Sequence, residues 1–190
     1  MPPALHTEIC DLLGIRYPII QTGMGWVAKP ELVAAVSNAG AIGFLAAATI
    51  PPREVEAEIE AIKKLTDKPF GVNFLMDAPG ADIIIEAIIR QGVRAAGYNR
   101  APNAELIQRL KDAGVICVPT CGAVKHAVKA EKLGADIIVV QGSEGGGHTP
   151  EHECGNVRVA VQEARLWDDP LPPPPVTLLA RVLGPVLARL

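Results

Sequence analysis

Six short apolar runs, beginning at Pro18, Ala41, Phe70, Val93, Val115 and Ile137, recur at intervals of 23, 29, 23, 22 and 22 residues. Between them lie stretches of helical length and pattern: Pro30–Asn38, Arg53–Leu65, Asp82–Arg90, Asn103–Ala113 and Val124–Leu133. In the second of these, Val55, Ile59 and Ile62 share one helical face, and Glu56, Glu60 and Lys63 take the other. Gly40, Gly92, Gly114 and Gly134 each follow a helical stretch and precede an apolar run. Left-handed backbone commonly ends a helix there. Strand alternating with helix at this spacing predicts βαβ units and a parallel sheet.

Two architectures fit that pattern. A doubly wound sheet suits five or six strands, whereas a (β/α)8 barrel needs eight and typically roughly 250 residues. The even spacing and the polar residues that follow the strands favour the barrel. The expectation is therefore an α/β fold of (β/α)8 TIM-barrel type, incomplete, with about six βα units. A dinucleotide fold is disfavoured, because Gly23-Met24-Gly25 lacks a third glycine at the required spacing and no acidic residue ends the second strand. No lysine follows a glycine run in the manner of a P-loop.

Composition narrows the function classes. A chain of 190 residues with 49% hydrophobic and 21% charged residues reads as one globular domain with a sizeable core. With a net charge of −3 and no basic run, nucleic acid is not an expected partner. The four cysteines, Cys10, Cys117, Cys121 and Cys154, form no C-x-x-C pair, which fits a reduced compartment. The first 16 residues lack the order of a signal peptide, and the apolar runs are too short to span a bilayer. The expectation is a soluble, cytoplasmic protein acting on a small molecule, with no membrane or nucleic-acid partner.

In a parallel α/β fold, chemistry gathers at the C-terminal ends of the strands. The first run leads into Gln21-Thr22-Gly23-Met24-Gly25-Trp26, the third into Asn73, the fifth into Thr120 and Cys121. The sixth, Ile137 to Val140, leads through Gln141 into Gly142-Ser143-Glu144-Gly145-Gly146-Gly147-His148. So glycine-rich a loop lets backbone N–H groups approach a ligand closely. The amides of Gln21, Asn73 and Gln141 offer donors and acceptors to the edge of a heterocycle, and Met24 and Trp26 an apolar wall. Each residue also has a structural reading: Gly23 and Gly25 as a tight turn, Asn73 as a partner for loop backbone, His148 as a packed histidine. Lys125 and His126 read as the first turn of a surface helix. His148, His152 and Cys154 lack a second ligand pair, so no metal site is expected.

Taken in order, these segments resemble the nitronate monooxygenases, FMN-binding TIM barrels once called 2-nitropropane dioxygenases. The resemblance rests on Leu13–Gln21, Gly23–Val27, Ala34–Gly40, Asp67–Asn73, Ala123–Ala127, Gly134–Asp136 and Gln141–His148. It implies FMN held by Gly23, Met24, Gly25, Asn73, Thr120, Gln141 and Gly146, with His148 as the catalytic base. The implied activity is oxidation of alkyl nitronates or nitroalkanes with O2. The wording around Gln21–Ala28 and Glu144–His148 is also similar to flavin barrels that oxidise or reduce acyl- or enoyl-CoA thioesters, a second expected substrate class.

Beyond His148 the sequence departs from that pattern. The resemblance implies a glycine, an apolar helix and two further units with phosphate-binding loops. Here Pro150 and Glu151-His152-Glu153-Cys154 follow, and Leu171-Pro172-Pro173-Pro174-Pro175-Val176 cannot lie inside a strand or helix. The expected division is 1–149, an FMN-binding βα-barrel portion, and 150–190, a divergent Pro-rich tail that is truncated or frame-shifted. A third expectation follows, a catalytically inactive barrel fragment.

Overall fold

The computed structural model describes residues 6–99 and 102–141. Helix α1 (Glu8–Leu13) is followed by β1 (Ile20–Gln21), α2 (Pro30–Asn38), β2 (Ile42–Ala46), a 3-10 turn at Ala47–Thr49, α3 (Val55–Leu65) and β3 (Gly71–Leu75). Then come α4 (Ala81–Arg90), β4 (Ala95–Asn99), α5 (Ala104–Asp112), β5 (Ile116–Cys121), α6 (Val124–Lys132) and β6 (Val139–Val140). The strands form one parallel sheet in the order β1-β2-β3-β4-β5-β6. Sequential order with no reversal rules out the doubly wound alternative, whose strand order switches direction midway. It is the succession of a βα barrel, carried through six units. Among the described residues no helix is long and apolar enough to cross a membrane.

Strand alternation divides the sheet into two faces. Leu45, Val72, Phe74, Ala96, Tyr98 and Cys117 point into the layer beneath the helices, where they meet Val55, Ile59 and Ile62 of α3, Ile84 and Ile88 of α4, and Leu106 and Leu110 of α5. The apolar face expected for α3 is fully buried; each such side chain stabilises the fold by roughly 1.5–3 kcal/mol. Ile42, Phe44, Ala95, Ile116 and Val118 form the opposite, inner face. Gly40, Gly92, Gly114 and Gly134 all have positive φ, between 59° and 96°, as their place after the helices predicts.

Helix α1 has no counterpart in the sequence reading, which assigned no element to residues 6–16. It ends at Gly14 with φ 73°, and Cys10, Leu13 and Ile15 pack against the inner face. The Leu12 carbonyl accepts a hydrogen bond from the Arg94 guanidinium, which ties the helix to the start of β4. Element ends shift by a residue or two from those expected: α4 begins at Ala81, and Asn103 caps α5 rather than opening it.

Candidate active site

Register places the inner side chains of the strand ends in two rows. In one, Ala46 of β2, Asn73 of β3, Gly97 of β4 and Val118 of β5 lie side by side. In the other, nearer the C-terminal mouth, Leu75, Asn99, Thr120 and Val139 do so. Asn73 and Thr120 therefore lie within their strands, not beyond them, and alternate onto the inner face with Gly71 and Val118. Both are partly exposed, as ligand-facing positions must be. Asn99 completes this set and escaped the sequence reading. The signal was present: a polar amide directly after the apolar run that begins at Val93.

The loop after β1 closes over the inner face. A Cβ on Gly23 would lie 2.7 Å from Asn73 Cβ and 3.1 Å from its Oδ1, and one on Gly97 would lie 3.0 Å from Asn73 Nδ2. Only glycine on both sides lets the Asn73 carboxamide sit between β4 and the β1–α2 loop. The backbone N–H groups of Gly23, Met24 and Gly25 donate to no other described residue. Donors of this kind beside the strand ends are what a planar acceptor-rich ligand or an anion requires.

Within this loop the Val27 N–H donates to the Met24 carbonyl at 3.1 Å, and Trp26, at the third position of that turn, has φ 60°. A type II turn needs positive φ at this position and usually carries glycine there. Among the described residues Trp26 is the one non-glycine residue with positive φ. Its backbone is held by donation from its N–H to Thr49 Oγ1 at 3.2 Å, and Thr49 in turn donates to the Ala46 carbonyl at 3.3 Å. A glycine at 25 is required for a different reason, since a Cβ there would meet the Thr49 methyl at 2.9 Å.

The other sequence-derived residues divide. Gln21 is in register with Gly43, and its side-chain N–H donates to the carbonyls of Thr22 and Phe44, the latter at 3.3 Å. It secures the loop to β2, and its Oε1 remains buried without a partner among the described residues. Met24 is exposed beside Trp26. Gln141 continues from β6, with its N–H on the Cys121 carbonyl at 3.1 Å. Cys121 faces outward, fully buried among Ala127 and Ala130, and burial pushes its thiol up to about 11. Burial, then the Asp136 carboxylate, pushes Cys117 up to about 12. Neither is a thiolate at neutral pH, so neither is a nucleophile poised for chemistry. Gly146 and His148 lie outside the described residues. His126 is within α6, in its first turn as expected.

A cavity of about 520 Å³ lies between the β3–α4 loop and α5, bordered by Asp77, Asp82, Ile85, Glu105 and Arg109. Its cation is already committed: Arg109 pairs with Asp82 at 3.6 Å and with Glu86. The strand-end cradle, not this cavity, gathers the residues whose chemistry the sequence singled out.

Comparison with known proteins finds similar chains and a similar fold. The chain is 52% identical over 145 residues, 76% of its length and 41% of the relative's, to (3aS,4S,5R,7aS)-5-hydroxy-7a-methyl-1-oxo-octahydro-1H-indene-4-carboxyl-CoA dehydrogenase of Rhodococcus jostii RHA1. It is 33% identical over 177 residues, 74% of its length and 50% of the relative's, to a probable nitronate monooxygenase of Staphylococcus aureus JH9. Among solved structures it is similar to FabK from Thermotoga maritima, with a TM-score of 0.80 at 32% identity over 84% of this chain and 51% of that one. The chain thus spans about half, or less, of the length of the relatives it matches. The nitronate monooxygenase profile matches residues 6–91 and 81–169. The chain belongs to the nitronate monooxygenase family.

Proposed function

We propose that this chain carries the flavin-binding part of an FMN-dependent oxidoreductase that uses His148 as its base. The observation that carries the reading is the Gly23–Asn73–Gly97 approach, which sets the Asn73 carboxamide beside a loop whose Gly23, Met24 and Gly25 N–H groups donate to no described residue. These groups fit a flavin: N–H donors and an amide suit its carbonyl and ring-nitrogen edge. The cradle stays open only because no Cβ stands at 23 or 97. Gly23, Met24, Gly25, Asn73, Thr120, Gln141 and Gly146 would hold the cofactor. When bound, FMN supplies the redox chemistry.

The chain's own contribution is proton transfer. A neutral imidazole nitrogen of His148 takes the proton from carbon next to an electron-withdrawing group, a task suited to a base that titrates near neutral pH. Two substrate classes present such a proton. Nitroalkanes, which become nitronates on losing it, follow from the family's name and the Staphylococcus aureus relative. A CoA thioester is favoured by the higher identity, 52%, to a protein named as a CoA dehydrogenase. Residues 150–190 form a divergent Pro-rich tail in this proposal, although the family profile runs on to residue 169.

Purified full-length protein tests the reading directly. It is expected to carry flavin absorbance, and Gly23→Ala is expected to lower flavin occupancy while the fold persists, because Asn73 must move from the cradle. His148→Ala is expected to keep its flavin and lose roughly 10²–10⁴-fold in turnover with nitroethane or an acyl-CoA. Protein that binds no added FMN favours the inactive-fragment reading; turnover unchanged in His148→Ala removes the histidine from the mechanism.

A further inference from the structure

The Asn73 carboxamide is held by shape rather than by hydrogen bonds. No described residue bonds to its side chain. Gln21 and Thr49, by contrast, donate theirs to the carbonyls of Phe44 and Ala46, both at 3.3 Å. A carboxamide turns readily about its last torsion unless something stops it. Gly23 of the β1–α2 loop and Gly97 of β4 stop this one on two sides, since a Cβ on either would lie 2.7 Å or 3.0 Å from an Asn73 side-chain atom.

The third wall is the ring of Phe44. Phe44 lies on β2 in register with Gly71 of β3, one row below Asn73. Its ring crosses β3 at Gly71, where a Cβ would sit 2.4 Å from Cε1, and reaches β4 at Gly97, where a Cβ would be 3.3 Å from the same atom. That point at Gly97 is also 3.0 Å from Asn73 Nδ2, so ring and amide share the place left by one missing side chain. Gln21, at the start of the Gly23 loop, joins two of the walls through its bond to the Phe44 carbonyl. Phe44 itself is buried and reaches a ligand only through Asn73.

Core filling does not call for this arrangement. Glycines within strands, as at 71 and 97, weaken a sheet and bury no side chain, whereas β-branched residues would pack the layer. Two strand glycines that make room for one ring and one uncommitted amide mark a constraint other than stability. We infer that Phe44 is a positioning residue of the cofactor site, whose ring fixes the plane of the Asn73 carboxamide toward the flavin. This rests on the flavin-binding reading of the proposed function. A group already fixed in its bound orientation loses less entropy on binding, which raises affinity without a new contact.

A double-mutant cycle tests this. Full-length wild type, Phe44→Leu, Asn73→Ala and the double variant are titrated with FMN by quenching of flavin fluorescence, at a temperature where each is folded. Asn73→Ala is expected to weaken FMN binding about tenfold, the loss of one hydrogen-bonding group. Phe44→Leu is expected to weaken it about fivefold in the wild-type background and less than about twofold beside Asn73→Ala, because contacts that act through one another are not additive. Should Phe44→Leu fail to fold, Gly97→Ala runs the same cycle with no core side chain removed, and the same non-additivity is expected. An equal loss in both backgrounds, or a lowered thermal midpoint with FMN affinity unchanged, makes Phe44 a packing residue and overturns the inference alone. Asn73→Ala that binds FMN as wild type does overturns it together with the place of Asn73 in the site. Wild-type protein that binds no FMN overturns the flavin reading itself.

Discussion

The Tyr98 hydroxyl is buried on the outer face of β4 and makes no hydrogen bond within the described residues. Its ring lies 6.0 Å from that of Phe74, and burial, with the Cys117 thiol nearby, drives its ionisation well above the ordinary phenol range. The ring fills the helix-facing layer, but an unpaired buried hydroxyl has lost its water without replacement. Tyr98→Phe is therefore expected to leave stability unchanged or to raise it by up to about 1 kcal/mol. Tyr98→Ala is expected to cost about 3–5 kcal/mol as an upper-class aromatic-to-alanine truncation; urea denaturation of the two variants reads the contrast. At this scale the sequence showed which residue types end the strands, because amides and glycines stand out after apolar runs. It did not show the strain at Trp26. That residue's N–H is held by Thr49, 23 residues away, and local composition places the glycine one position too early.

Helices were the most legible elements, since 3.6-residue periodicity and a following glycine mark both face and end. The strands were less so. The apolar run from Pro18 pairs only at Ile20–Gln21, because Arg16 and Tyr17 give their N–H groups to the Gly40 carbonyl, each at 2.8 Å, instead of to a ladder. Helix α1 escaped because six residues make fewer than two turns, too few to establish a period. N-capping distinguishes α5 from the other described helices: Asn103 Oδ1 accepts from Leu106 N–H at 3.0 Å, and no other described α-helix has a side-chain bond at its N-cap. Asn103→Ala is expected to cost about 1 kcal/mol, and Asn103→Asp to retain most of the cap's contribution. The measurement is the shift in urea midpoint at constant slope, with a change in slope indicating instead that β4–α5 packing had altered.

Across the whole molecule, α1 does what no single strand can. In a closed barrel, layers of bulky side chains from alternate strands fill the interior. Here several inner positions are small: Gly71 leaves room for the Phe44 ring, and Ala95 and Gly97 follow on β4. Cys10, Leu13 and Ile15 supply the missing volume at the N-terminal end, touching a cluster drawn from β2, β4 and β5. Leu13 is fully buried there, so Leu13→Ala is expected to destabilise the fold by about 2–5 kcal/mol. The distribution of that loss is the sharper readout. If α1 is the plug of the inner layer, amide exchange rises together in Glu8–Leu13, Ile42–Ala46, Ala95–Asn99 and Ile116–Cys121, because truncating Leu13 loosens every strand in its cluster. Faster exchange confined to Glu8–Leu13 would show that the inner face holds itself together and that α1 only rests on it.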